Sequence, residues 1–213
     1  MLLSSNVFSA TPGHADEFTK HMADVAACMA ETGIAVGVKV SQAGAASAEV
    51  FINALYQDMA DYGASMTRLR ATPRWAEVYM GLGNSAAVTS VDSFLAQVLD
   101  GYDDAPQLSE GTIFTSMWRA HPGRLSDLMA GMSIARDMHM KHGASAVRVM
   151  QIIGGRYTGC YGYNLSYPDM AAMGEALEAG RAEQEAFFEK AAENPSADLI
   201  AQIIMDSPII IGA

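Results

Sequence analysis

Two stretches decide the fold: ATPGHADEFTKHM, from Ala10 to Met22, and AHPGRLSDLMAGM, from Ala120 to Met132. Each opens with Ala, one variable residue and Pro-Gly, then runs into a helical pattern that reaches Met. The similarity continues at the same offset of 110: Met22 meets Met132, Gly33 meets Gly143 and Val40 meets Met150. A one-residue insertion after that point pairs Asp58-Met59-Ala60 with Asp169-Met170-Ala171, and Gly63 with Gly174. An ordered series of this length marks an internal duplication.

Each half repeats one order of elements. A short strand (LLSSNVFSA; GTIFTSMWRA) ends at the Pro-Gly turn, which starts a helix. Phe18, Met22, Val25 and Met29 recur at helical spacing, as do Leu128, Met132, Ala135 and His139, giving one buried face per helix. Gly33 and Gly143 stand where a helix C-cap takes a positive φ. Two strands, a second helix (58–80; 168–193) and a closing strand complete each half. The order βαββαβ, written twice, predicts an α+β fold of two ferredoxin-like repeats. Each antiparallel sheet has helices on one face only, so the two bare faces pack together as an intramolecular α/β barrel. The expected organisation is repeat 1 over 1–99, an acidic, turn-rich linker over 100–110 and repeat 2 over 111–213.

Composition removes several classes of function. Of the 213 residues 50% are hydrophobic and 17% charged, which suits a cored domain and not a disordered chain. A net charge of −11, with no basic run to offset it, argues against nucleic acid and anionic membranes as partners. No apolar run approaches the ~18 residues of a membrane span, and MLLSSNVFSATPG lacks the basic start of a signal peptide. Cys28 and Cys160 make no disulfide framework and no thiolate cluster, so a cytoplasmic protein is expected.

The doubled strand–Pro-Gly–helix pattern and the element order resemble the dimeric α/β-barrel superfamily. It includes antibiotic-biosynthesis-type monooxygenases, NIPSNAP-like and EthD-like proteins, and haem-binding members. That resemblance implies a pocket for a small molecule. Some members place an asparagine on the first strand, seven residues before the turn glycine, to hold substrate or oxygen; Asn6 stands seven before Gly13. Haem-degrading members carry a tryptophan and a histidine on the second helix. Trp75 lies there, but Tyr79 falls near the ligand position and neither second helix holds a histidine.

The residues that could carry chemistry concentrate in the second half. His14, His21 and Cys28 are seven residues apart, about 10 Å per step along a helix, and cannot converge on one ion. His139 takes the slot of Met29 on a buried stripe, where an imidazole serves as a general base or ligand, and His142 lies one turn on. On the aligned strands Arg148 replaces Val38, Tyr161 replaces Phe51, Tyr163 replaces Asn53, Asn164 replaces Ala54 and Trp118 replaces Phe8. Strand alternation sends Tyr161 and Tyr163 to one face and Cys160, Gly162 and Asn164 to the other. The fifteen methionines suit an adaptable apolar interior. No nucleotide-binding, nucleophile-elbow or zinc pattern occurs, so no cofactor and no metal site are expected.

These features predict binding of a small, largely apolar molecule, aromatic ones included. If the site is catalytic, the resemblance implies cofactor-independent oxygenation or a related proton abstraction. His139 would be the base, with Tyr161, Tyr163 or Arg148 stabilising an oxyanion and Asn6, Trp118, His142 and Asn164 contacting the ligand. The competing expectation is a non-catalytic binding or assembly module, solidly packed beside His139; haem held by His139 or His142 ranks last. A homo-oligomer, if one forms, would use helices or sheet edges, because the sheet faces are consumed within the chain.

Overall fold

A computed structural model describes residues 1–44, 49–99 and 111–207; the linker assigned to 100–110 and residues 208–213 lie outside them. The first half runs β1 (Leu2–Ala10), α1 (Ala15–Glu31), β2 (Ala35–Gly44), β3 (Glu49–Tyr56), α2 (Met59–Arg70), α3 (Pro73–Asn84) and β4 (Val88–Val98). The second runs β5 (Thr112–Ala120), α4 (Leu125–Lys141), β6 (Ala146–Gly155), β7 (Tyr161–Tyr167), α5 (Met170–Glu193) and β8 (Ala197–Asp206). Each half keeps the ferredoxin-like strand order, β4-β1-β3-β2 and β8-β5-β7-β6. The halves join through β2–β8 and β4–β6 into one closed, antiparallel barrel. Every strand therefore has two neighbours, and the sheet edges expected as an oligomerisation route are already used.

The Pro-Gly signature works as a turn ahead of the helix. His14 N–H donates to Thr11 O at 3.1 Å and Arg124 N–H to His121 O at 2.9 Å. Gly13 and Gly123 take φ of 88° and 75°, so Pro followed by a positive-φ Gly has the type II turn sequence. The residue just ahead of the last strand of each half holds the turn, with Thr11 N–H on Ala87 O and His121 N–H on Ser196 O. The first helices end in Schellman motifs: Gly33 N–H donates to Ala30 O and Ile34 N–H to Met29 O, matched by Gly143 on Met140 and Ala144 on His139.

The core forms three layers. Phe18, Met22, Val25 and Met29 of α1 pack on the outer face of the first sheet, and Leu128, Met132 and Ala135 of α4 on that of the second. The barrel interior is filled by Leu3, Met117, Met150 and Ile152, with Val7, Phe51, Ile203 and Met205 beside them. Lys39, in register with Phe51 and fully buried, donates from Nζ to Gly111 O at 2.5 Å and Ser207 Oγ at 3.1 Å, where β5 begins and β8 ends.

The seams between the halves are built alike. The β2 pairing skips a residue at Gln42 and the β6 pairing at Ile153, and each bulge is followed by a positive-φ glycine, Gly44 and Gly155. A Cβ on Gly44 would stand 2.1 Å from Gln202 O, and one on Gly155 2.0 Å from Ser93 O. Only glycine permits this approach of two backbones.

Two expectations are corrected. The extra residue of the second half falls at Ser145, ahead of β6, and not after Met150, because Val38 pairs with Ile52 as Val149 pairs with Tyr163. Tyr163 thus takes the place of Ile52, Tyr161 that of Val50, Arg148 that of Gly37, and Asn164 that of Asn53. A one-residue slip exchanges the faces of a strand, so this changes which residues can meet. The helix expected over 58–80 is two helices. Thr72 caps α3 by accepting from Trp75 N–H, and Pro73 opens it, which ends α2 at Arg70.

A candidate ligand cavity in the second repeat

The break at Thr72-Pro73 makes the halves differ. In the first half it lets α3 lie on the core, where Trp75, Val78 and Leu82 pack beside α1. In the second half α5 continues unbroken for 24 residues. Between α4, α5 and the outer face of the second sheet lies an open cavity of about 1030 Å³. Its floor is Phe114, Ser116 and Trp118 of β5 with Tyr163 of β7, and α4 and α5 form its walls.

The walls are mostly apolar and aromatic. Trp118 and Phe188 rings stack at 6.5 Å and 21°, and Phe188 meets Phe187 edge-on at 5.5 Å. Phe188 is 44% exposed, a large aromatic held at the open side of the cavity. Gln202 Nε2 donates to Ser116 Oγ at 3.5 Å on the floor.

Two polar groups stand together inside. The His139 and Tyr163 rings are 6.0 Å apart, centre to centre. Burial, with the neighbouring His142 adding to it, pulls the His139 imidazole down to about 4, so it is neutral at pH 7. Burial pushes the Tyr163 phenol well above its usual value, with Tyr167 adding to the effect. The Tyr163 hydroxyl is buried and has no hydrogen-bond partner. A neutral imidazole that can accept a proton thus sits beside a phenol that keeps its own and has a donor to offer.

The other residues singled out in the sequence divide among four places. Trp118 lines the cavity; Tyr161, its neighbour on β7, is buried on the same outer face but does not reach the cavity. His142 caps α4 and donates from Nε2 to the Glu183 carboxylate at 2.8 Å, with its ring against Gly180 of α5. It fastens the two helices and does not line the cavity. Arg148 and Asn164 are register partners that face the barrel interior, on the far side of the sheet from His139. Asn6 shares the helix-facing side of β1 with Phe8, and its counterpart Ser116 is the one on the cavity floor. Phe187, Phe188 and Gln202 went unnoticed in the sequence; the signal was Phe187-Phe188 amid the polar run EQEAFFEK. Among the described residues no three His, Cys, Asp or Glu side chains are grouped to hold a metal.

No protein-family model matches the sequence, and no curated protein matches it. Solved structures do match its fold. A "putative monooxygenase" from Fusobacterium nucleatum superposes with a TM-score of 0.64 at 10% identity, over 97% of this chain and 94% of that one. An anthrone oxidase-like protein gives 0.59 at 14% identity, over 96% and 90%. A "putative monooxygenase" from Lactobacillus acidophilus gives 0.56 at 9% identity, over 97% and 95%. The chain has the dimeric α/β-barrel fold, with both barrel halves in one polypeptide. No helix among the described residues is long and apolar enough to cross a membrane.

Proposed function

We propose that the cavity of the second repeat binds a small, largely apolar aromatic molecule and promotes a proton abstraction from it. The observation that carries this reading is the pairing of neutral His139 with the unpartnered Tyr163 hydroxyl on the wall of a cavity of about 1030 Å³. Ligand sites combine an apolar lining with a few converging polar groups, and are of this size or somewhat smaller. A cavity beside His139, in place of solid packing, favours this reading over a non-catalytic assembly module.

In the reaction, a proton leaves a C–H or O–H of the bound substrate for a free imidazole nitrogen of His139. The electron pair moves onto a substrate oxygen, which accepts the Tyr163 O–H hydrogen bond. The new oxyanion also favours the imidazolium, offsetting the burial that depresses its pKa. Oxygenation at a CH2 group would follow with dioxygen as co-substrate, leaving C=O on the ring and releasing water. Neighbours named as monooxygenases or anthrone oxidase-like proteins support this choice of chemistry.

The test is turnover of a panel of naphthols, anthrones and related phenols by wild type, His139→Ala and Tyr163→Phe. Loss of the Tyr163 donor should lower turnover by about 10²-fold or more. The same substitution removes a buried orphan hydroxyl, so the ligand-free protein should be as stable as wild type or more so. Equal turnover in all three proteins, or no binding across the panel, would sink the proposal.

A further inference from the structure

The floor of the large cavity is ruled in rows across the second sheet. Gln202 of β8, Ser116 of β5 and Tyr163 of β7 are successive register partners, and all three line the cavity. The rows beside them are apolar and aromatic, Phe114 with Leu165 and Trp118 with Tyr161. A polar line thus runs between two greasy ones. Neighbouring strands lie ~4.8 Å apart, so the line spans about 10 Å from Gln202 to Tyr163. The equivalent line of the first half is Ser93, Asn6 and Ile52, which ends on a fully buried aliphatic side chain. The end of the line away from Tyr163 is loosely satisfied. Gln202 Nε2 donates to Ser116 Oγ at 3.5 Å, the long limit of a hydrogen bond. Among the described residues the Ser116 proton finds no acceptor and the Gln202 carbonyl oxygen no donor.

We infer, resting on the function proposed above, that Ser116 and Gln202 are a specificity-determining pair that docks a second oxygen of the substrate. The cavity then selects flat ring systems with an oxygen at each end, one against Tyr163 and His139 and one against Ser116 and Gln202. Register partners hold their Cβ atoms about 5 Å apart, and the phenol carries its oxygen further from the sheet than the serine hydroxyl. Such a separation calls for oxygens on different rings and not on adjacent carbons. A hydroxyl docked on the pair accepts the Ser116 proton and donates to the Gln202 carbonyl oxygen. A carbonyl accepts from Ser116 and from the Gln202 amide N–H. Phe114 and Trp118, on either side of Ser116, supply the apolar walls for the ring. An apolar substituent at that end takes water from both groups and leaves them only their long bond to each other. That cost is the source of the discrimination.

The test is calorimetric titration of the full chain with 2,6-naphthalenediol and with 6-methyl-2-naphthol, which share one ring system and are nearly equal in size. Wild type should prefer the diol, and Ser116→Ala and Gln202→Leu should each lower the ratio of the two affinities about fivefold or more. Tyr163→Phe should lower the ratio too, because a two-ended ligand needs both anchors. Phe114→Leu, which touches only the apolar wall, should weaken both ligands and keep the ratio. Gln202 is exposed, so Gln202→Leu decides the matter if Ser116→Ala does not fold. A ratio unmoved by Ser116→Ala and Gln202→Leu overturns the pair and leaves the proposed function, which needs one oxygen, standing. Failure of both ligands to bind wild type overturns the two together.

Discussion

A single imidazole, His139, contributes to the acid sensitivity of the fold. Its folded value of about 4 lies below the ordinary 6.5, so between these the unfolded chain binds the additional proton. Stability from this group is therefore complete above pH 6.5 and is lost as the pH falls through that window to about 4. Midpoints measured from pH 7 to pH 4 should drop less steeply for His139→Leu than for wild type. Parallel curves would show that His139 titrates normally. The sequence disclosed this residue because it interrupts an apolar stripe at the slot of Met29, and an unexplained polar group on a buried face is legible without coordinates. Tyr163 was singled out as well, but against Asn53, one residue away from its true counterpart Ile52. Phe188 was not, because an aromatic on a helix gives no sign of whether its face meets core or open space. Nor was Lys39, whose acceptors Gly111 O and Ser207 lie 72 and 168 residues away in the chain.

The elements follow rules that read well locally and poorly at their joints. The Pro-Gly turns, the Schellman glycines and the strand alternation all stand where the residues place them. The inserted residue did not, because Gly-Ala-Ser before β6 resembles Gly-Ile before β2 too closely to show on which side the extra position falls. Pairing Val149 with Tyr163 settles the register, and with it the separation of Arg148 from His139 by the thickness of a sheet. The break at Thr72-Pro73 was visible as a proline, yet its consequence depends on where α3 then lies. The seam glycines allow a direct check. Gly155→Ala forces a positive φ on alanine and drives its Cβ to 2.0 Å from Ser93 O, so it should cost about 2 kcal/mol or more in urea unfolding. Gly174→Ala, in the interior of α5 with nothing near its Cβ, should instead gain up to about 1 kcal/mol. Equal effects at the two positions would mean that the β4–β6 seam is not closed as described.

At the scale of the molecule, duplication makes one barrel from one chain and lets its halves specialise. Among the described residues, the first half fills the space beneath its helices with α3, and the second leaves that space open as the large cavity. Separating the halves should expose the inward faces of Leu3, Val7 and Phe51 and leave one edge of β2 and one of β4 unpaired. A fragment of residues 1–105 should therefore dimerise or precipitate in sedimentation experiments, whereas a monomeric, cooperatively folding fragment would contradict the intramolecular barrel. The cavity itself can be watched through its own floor. The chain has two tryptophans, so Trp75→Phe leaves Trp118 as the sole reporter. Titrating that protein with 2-naphthol while following tryptophan emission is the most direct measurement of the central claim. Saturable quenching or a spectral shift of Trp118, abolished when Gly131→Phe fills the cavity from α4 in a protein that remains folded, is the result expected. Emission from Trp118 that stays unchanged while 2-naphthol binds elsewhere, or no binding at all, would contradict it.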